Sequence, residues 1–181
     1  MNETIESSFE QLQEMIKDIR FAMFVTHAQG GQLHAWPMTT QQAKMSSEQE
    51  DFEHDKLWFF MARSSQVVHN LIANPHVNVS YANPKTDTYV SVSGMASVVD
   101  SMNQKERFWN TLVEAWFEEG ITDADVALVC VQIDSAEYWS VREGKLAQAG
   151  KMLKATLTGE QLTELGEHGK ISPASKPDRY I

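Results

Sequence analysis

The sequence predicts a mainly β fold with covering helices, built as an antiparallel barrel of six or seven strands. Short apolar or alternating segments recur along the chain and are separated by Gly, Pro and Asn turns, which is typical of hairpin-connected strands. Amphipathic helical patterns stand at the front, in the middle and near the end of the chain, where they would cover such a sheet. With 181 residues and 42% hydrophobic content, the chain is expected to form a single domain.

The first elements are a predicted helix and a predicted hairpin. In residues 5–19 apolar side chains recur every three or four positions, so one face of this helix is expected to lie on the sheet. Residues 21–26 and 32–38 are β-rich runs on either side of Gly30 and Gly31, which is the pattern of a hairpin.

The second run of this hairpin contains Pro37. Proline has no N–H to give to a sheet ladder, so we expect it at an edge, at a bulge or at a strand end that faces a ligand. The residues that follow, 41–56, are polar and charged and are predicted to form a surface connection.

The centre of the chain reads as three strands and a helix. Residues 57–61 predict a buried strand, and residues 67–73 predict a helix after a serine pair that can cap it. Residues 76–81 and 89–95 alternate with period two, which indicates paired antiparallel strands with one polar face. Gly94 interrupts the second of these, which indicates a bulge or a close backbone approach.

The last third predicts a helix over 104–119 ended by Gly120, a central strand over 126–133, and a further strand segment at 137–139. A small helix is predicted to start at Thr158. We expect one domain over 1–181, made of an N-terminal helix (1–20), a barrel with inserted helices (21–140) and a C-terminal extension (141–181).

Composition excludes several classes of function. The 15 Lys and Arg against 25 Asp and Glu give a net charge of −10, which argues against broad electrostatic binding to nucleic acid or to an anionic membrane. The single cysteine, Cys130, lies in an apolar run, so we expect a buried structural thiol and a reducing, cytoplasmic environment. The six histidines lack metal-ligand spacing, and no P-loop, dinucleotide or hydrolase-elbow motif occurs. No apolar run reaches the ~20 residues that span a bilayer.

A set of motifs follows in a specific order and spacing between about residue 16 and residue 139. These motifs are Trp36-Pro37-Met38, Leu57-Trp58-Phe59-Phe60, Ser65, the runs at 74–81 and 89–96, Asp100, and the run at 115–120. Together they resemble the general stress protein 26 branch of the pyridoxamine 5'-phosphate oxidase-like family. The resemblance implies an FMN-binding split β-barrel, a homodimer with two flavins in clefts between the subunits, and a flavin-dependent oxidoreductase or stress-related redox protein.

The resemblance also implies which residues contact the cofactor. The isoalloxazine ring would be bordered by Ala35, Trp36, Pro37, Met38 and Thr39. The ribityl chain would be bordered by Phe59, Phe60, Met61 and Ala62. The phosphate would lie at a helix N-terminus, where free N–H groups favour an anion, beside Arg63, Ser64, Ser65 and Gln66. Trp116 would reach across from the partner subunit, and Pro37 would face a cleft where no ladder partner waits.

Three positions depart from the family pattern. The family's arginine, threonine and lysine stand here as Trp36, Met61 and Val67. Charge-assisted bonds to phosphate contribute roughly 1.5–3 kcal/mol each, so the loss of two cations weakens phosphate binding by about 3–6 kcal/mol. Arg63 and Lys85 are the candidates to replace them.

Three functions therefore stay open. The first is an FMN-dependent oxidoreductase, in which the protein orients the flavin. The second is a non-catalytic flavin-binding or flavin-storing protein, because no general acid or base is evident. The third is a dimeric barrel that has lost FMN and binds a phosphate-free ligand or none, in a cleft made more apolar by Trp36, Met61 and Val67. The scattered charges after residue 141 argue against a pyridoxamine phosphate oxidase proper.

Overall fold

The computed structural model describes residues 2–43, 53–140 and 167–172. Within these residues the helical elements are α1 (Asn2–Ile16), α2 (Gln66–Ala73), α3 (Met102–Phe108), α4 (Thr111–Glu114) and a 3₁₀ turn (Gly120–Thr122). The strands are β1 (Ala22–His27), β2 (Leu33–Met38), β3 (Lys56–Ala62), β4 (His76–Asn83), β5 (Thr88–Val99), β6 (Val126–Ser140) and β7 (Glu167–Ile171). The predicted mainly β class is confirmed.

The seven strands form one antiparallel sheet in the order β2-β1-β4-β5-β6-β3, with β7 also paired to β6. The sheet curls but does not close into a continuous barrel. Its two ends meet at one bridge, where Gln41 N, just beyond β2, donates to Trp58 O in β3 at 2.8 Å. This bridge brings the end of β2 beside β3.

The main core lies on the concave face of the sheet, under α1 and α2. From α1 it takes Phe9, Leu12 and Ile16, and from α2 it takes Val67, Val68 and Leu71; all six are buried. Each such fully buried side chain contributes about 1.5–3 kcal/mol relative to exposure. A buried hydrogen bond from Asn70 Nδ2 to Thr26 Oγ1, at 3.1 Å, ties α2 to β1.

A second, smaller cluster lies on the other face of β3 and β6, beneath α3. The ring of Trp58 stacks on Phe108 with centroids 4.7 Å apart, and Leu128 and Cys130 complete the cluster. Burial raises the pKa of the Cys130 thiol to about 11, against a smaller opposing effect of Lys56. The predicted buried structural cysteine is confirmed.

Both predicted hairpins are confirmed. Gly30 and Gly31 connect β1 to β2 with φ of +86° and +81°, backbone angles that glycine adopts without strain. Asp87, with φ of +50°, lies in the turn between β4 and β5. The predicted irregularity at Gly94 is a β-bulge, where the register with β6 shifts. A Cβ on Gly94 would also collide with the carbonyl of Gln132.

The predicted single helix over 104–119 is wrong. The chain is helical to Phe108, turns extended at Trp109, and becomes helical again in α4. The physical cause is Asn110, whose Oδ1 accepts from Leu112 N and Val113 N at 3.0 and 3.1 Å. This N-cap offers the backbone an alternative to continuing α3.

Strand β7 is missing from the sequence prediction. Its residues show no strand pattern, but they pair with the second half of β6. Gly169 permits the approach, because a Cβ there would collide with the ring of Tyr138. The predicted helix from Thr158 lies outside the described residues. None of the described helices has the length and apolar character needed to cross a membrane.

Candidate functional site

Pro37 lies in an edge strand, as predicted. β2 is the terminal strand of the sheet, and Pro37 lies opposite Met23 of β1. Ala28 N donates to Gln32 O at 2.7 Å, and hydrogen-bonded pairs alternate from there along the hairpin. By this alternation Met23 and Pro37 form a pair without hydrogen bonds, so the main-chain N of Pro37 points away from β1. The missing N–H therefore faces outward, where none of the described strands is paired.

The predicted isoalloxazine residues divide between the two faces of β2. Trp36 and Met38 are partly buried and pack against the main core. Ala35 and Pro37 are exposed on the opposite face, and Thr39 is half-buried just beyond the strand. A ligand beside this strand would therefore meet the outer face and the outward main-chain edge.

The end of β2 is fixed by Gln41, which sequence reasoning places in a surface connection over 41–56. In the structure this half-buried residue joins three elements. Its N–H binds Trp58 O, its Nε2 donates to Thr39 O at 2.8 Å, and its Oε1 accepts from Asn110 Nδ2 at 2.8 Å. Gln41 thus holds β2, β3 and the start of α4 together, which corrects the surface assignment.

A second contact fixes the same segment. Thr40 Oγ1 lies 2.7 Å from Tyr81 Oη, and Tyr81 is buried in the main core. Burial raises the pKa of Tyr81 above its usual range, although the Thr40 hydrogen bond acts in the opposite direction. The phenol therefore stays neutral at ordinary pH and serves to position the chain after β2.

The predicted ribityl residues of β3 use their side chains for packing. Phe59 and Met61 are buried in the main core, with exposed fractions of 0% and 3%. Phe60 is half-buried and meets Trp109 edge-on, with ring centroids 5.2 Å apart. Ala62 is half-buried at the strand end. A ligand would therefore contact β3 through the main-chain edge that faces away from β6. On that edge, Trp58 O already accepts the N–H of Gln41.

The predicted phosphate residues already have protein partners. Ser64 N donates to Asp125 Oδ1 at 2.7 Å, and Ser64 Oγ donates to Asp125 Oδ2 at 3.0 Å. Ser65 Oγ accepts from Val68 N as the N-cap of α2. Gln66 Nε2 donates to Asn70 Oδ1 at 2.9 Å. Ser65 thus caps α2, and the hydrogen bonds of Ser64 and Gln66 stabilise the loop before the helix and its first turn.

Arg63, the expected replacement cation, forms an ion pair with Asp100. Both side chains are more than a third exposed, so such a pair contributes only about 0–1 kcal/mol. The other candidate, Lys85, lies in the turn before β5, whereas Asp100 follows its end. The 12 residues of β5 separate the two positions.

The three departures from the family pattern are apolar packing residues. Met61 and Val67 are buried at 3% and 2% exposure, and the partly buried Trp36 packs against the same core. Where the family pattern has an arginine, a threonine and a lysine, this chain has hydrophobic contacts. The described residues at these positions do not fit a phosphate group.

Trp116 is a strongly exposed predicted site residue. Its exposed fraction is 83%, and Leu112 on the preceding α4 is 68% exposed. Trp109, at the break between α3 and α4, packs against Phe60 and Phe117. Since Asn110 binds Gln41, the start of α4 lies beside the end of β2. Trp116 is thus available to a ligand or a second chain.

We call the convex side of the sheet, which carries Ala35, Pro37 and Met23, the outer face. Its middle holds a polar row, in which Asn78 Nδ2 donates to Ser91 Oγ at 2.9 Å and Ser80 Oγ donates to Asn78 Oδ1 at 2.7 Å. Exposed apolar side chains surround this row: Phe21, Met23 and Leu33 on the side of β1 and β2, Tyr89 and Met95 toward the two ends of β5, and Trp139 on β6. In the part of the chain that the structure describes, no three acidic, His or Cys side chains are grouped to hold a metal.

A family model described as pyridoxamine 5'-phosphate oxidase like matches residues 7–163. The chain belongs to the pyridoxamine 5'-phosphate oxidase-like family. This confirms the resemblance that the motifs predict. Within the curated proteins, the chain is 25% identical to protein bli-3 of Neurospora crassa over 115 residues, which cover 59% of this chain and 55% of the relative. The chain thus matches about half the length of that relative.

Solved structures of the family share the fold. General stress protein 26 from Jannaschia sp. CCS1 superposes with a TM-score of 0.70 at 21% identity, covering 92% of this chain and 99% of that one. The general stress FMN/FAD binding protein of Xanthomonas citri superposes with a TM-score of 0.61 at 26% identity, covering 77% and 92%. The predicted split-barrel fold is confirmed, with the sheet open between β2 and β3.

Proposed function

We propose that this family member binds the isoalloxazine ring of a flavin beside β2, in a cleft completed by a second copy of the chain. The observation that carries the proposal is the outward edge of β2, where Pro37 leaves no N–H to pair and Ala35 leaves space. Family membership supports it, as does the likeness to a structure named as an FMN/FAD binding protein. FMN is the flavin that the family resemblance implies.

A homodimer is part of this proposal. Phe21, Met23 and Leu33 are 55%, 43% and 64% exposed on the outer face, next to the proposed flavin position. Exposed apolar surface of this kind marks interaction sites. A second copy is the proposed occupant, because an isolated chain would leave one side of the ring in water.

The flavin, when bound, supplies electron transfer between a reductant and an acceptor. The chain's own residues would bind and orient the ring and exclude water from it. Gln41 and Tyr81 fix the chain after β2, so the strand edge is held in place before a ligand arrives. We infer a flavin-dependent oxidoreductase; a flavin-storing protein would use the same residues for binding alone.

The test is a titration of the purified full-length protein with riboflavin and, separately, with FMN, and flavin fluorescence is the readout. We expect saturable binding, and Ala35→Arg is expected to abolish it by filling the strand edge. The matched control is Ala73→Arg, an exposed alanine at the end of α2. Absence of binding for both flavins would contradict the proposal. Oxidation of a reduced nicotinamide by the flavin-loaded protein would separate an oxidoreductase from a storage protein.

A further inference from the structure

The carboxylate of Asp125 lies at Ser64, one of the four residues that the family resemblance places beside the ligand's phosphate. It accepts the Ser64 N–H and the Ser64 hydroxyl at 2.7 and 3.0 Å. Its own backbone is fixed as well, because Asp125 O accepts from Arg63 N at 2.6 Å and Asp125 N donates to Asp123 Oδ1 at 2.8 Å. The carboxylate is therefore held in position against the loop before α2.

Charge around this position also disfavours a second anion. Asp125 contacts Ser64, Asp123 lies beside Asp125, and Arg63 is paired with Asp100. Lys105, a further cation near the start of β6, donates its Nζ to Val126 O at 2.9 Å. A phosphate placed here would meet like charge, while the cations that could balance it already have partners.

The apolar residues at the three positions that depart from the family pattern also disfavour a phosphate. Met61 and Val67 are buried in the main core, and Trp36 packs against it. A phosphate lodged among these side chains would lose its water without gaining donors, which is strongly unfavourable. A hydroxyl-bearing chain without phosphate would not carry this cost.

We propose that Asp125 acts as an internal substitute for the phosphate, so that the chain selects a flavin without phosphate, of the riboflavin class, over FMN. The inference rests on the proposed flavin-binding function. It assigns Asp125 as the specificity-determining residue, with Asp100 as a second, weaker determinant because its ion pair with Arg63 is exposed.

The experiment compares the dissociation constants of riboflavin and FMN for the full-length protein by fluorescence titration. We expect riboflavin to bind at least about tenfold more tightly than FMN, since one unfavourable charged contact is sufficient for that ratio. Asp125→Asn removes the charge but keeps the size of the side chain, and is expected to tighten FMN binding by about tenfold while riboflavin binding stays the same.

Two further variants serve as an independent test and as a control for this experiment. Asp100→Asn frees Arg63 and is expected to tighten FMN binding without weakening the bonds of Asp125, so it decides the question if Asp125→Asn fails to fold. Asp87→Asn removes the same charge at the far end of β5, where asparagine tolerates the positive φ, and is expected to change neither constant.

The outcomes are distinguishable. FMN binding as tight as riboflavin or tighter in the unmodified chain overturns the inference but leaves the proposed function standing. Equal changes for both ligands in Asp125→Asn also overturn it, because they indicate a general loss of structure. Failure to bind either flavin overturns the proposed function and the inference with it.

Discussion

Gly94 shows how a single residue sets the register of two long strands. On β5, Ser93 lies opposite Ser135 and Gly94 lies opposite Ile133, so Asp134 is the extra residue of β6 at this bulge. The glycine lies against the main chain of Gln132, where a side chain has no room. The local sequence predicts the irregularity, because an isolated glycine in a strand pattern indicates a bulge or a close approach. The partner strand is not predictable from it.

We therefore expect Gly94→Ala to destabilise the protein by about 1–3 kcal/mol, the usual cost of overpacking. For a chain of this size this lowers Tm by about 2–12 °C, which thermal unfolding followed by circular dichroism would detect. The control is Ser97→Ala, an exposed position of the same strand that is expected to stay within about 0.5 kcal/mol. A Gly94→Ala protein as stable as this control would contradict the packing seen here.

The contacts of Asp125 and Gln41 lie beyond sequence-based prediction. Ser64 and Asp125 are 61 residues apart, and Gln41 and Asn110 are 69 residues apart. Neither pair has a local pattern. The pairing of β3 with β6 brings the loop before α2 to the start of β6, and the bridge between Gln41 and Trp58 brings the end of β2 beside β3. By contrast, the cap of α2 by Ser65 is a local interaction, and the sequence predicts it.

At the scale of elements, helix ends decide the differences between prediction and structure. The apolar spacing of residues 104–119 favours one helix, but the capping hydrogen bonds of Asn110 start a new one. An asparagine before a helical stretch is a recognised N-cap signal, so this break could be found in the sequence. β7 could not, because its pairing depends on the second half of β6, beyond the part that pairs with β3, and on the absence of a side chain at Gly169.

Asn110 is consequently expected to contribute more to the free energy of unfolding than its exposed neighbours do. We expect Asn110→Ala to lower the free energy of unfolding by about 1–2 kcal/mol, through the lost cap and the lost bond to Gln41. Urea unfolding measures this difference. Asn103→Ala, in the exposed first turn of α3, serves as the control and is expected to be near neutral. Equal stability of the two variants would count against the role of Asn110.

At the scale of the whole molecule, the curled sheet places a polar row among exposed apolar side chains on its outer face. Alternating strand patterns predict such a two-sided sheet, but they do not predict which apolar side chains stay exposed. That outcome depends on which faces the helices cover. In this structure α1 and α2 cover the concave face, so Met23 of β1 and Leu33 of β2 stay exposed to solvent on the outer face.

The proposed homodimer can be tested on this surface. Leu33→Asp would place an unpaired carboxylate in the interface, so we expect the dimer dissociation constant to rise by about a hundredfold or more. Ile72→Asp is the matched control, because Ile72 is 67% exposed on α2 and Leu33 is 64% exposed on β2. Sedimentation velocity over a range of protein concentrations measures this dissociation constant. A monomeric unmodified protein, or equal dissociation of the two variants, would contradict the proposed interface.

Flavin binding by a dimer can be tested by size-exclusion chromatography of the full-length protein after incubation with riboflavin, recorded at a visible flavin wavelength and in the protein band. We expect the flavin absorbance to elute with a protein dimer, and the Ala35→Arg protein to elute without flavin absorbance. Elution of all the flavin at the position of the free small molecule, with the unmodified protein, would contradict flavin binding at β2.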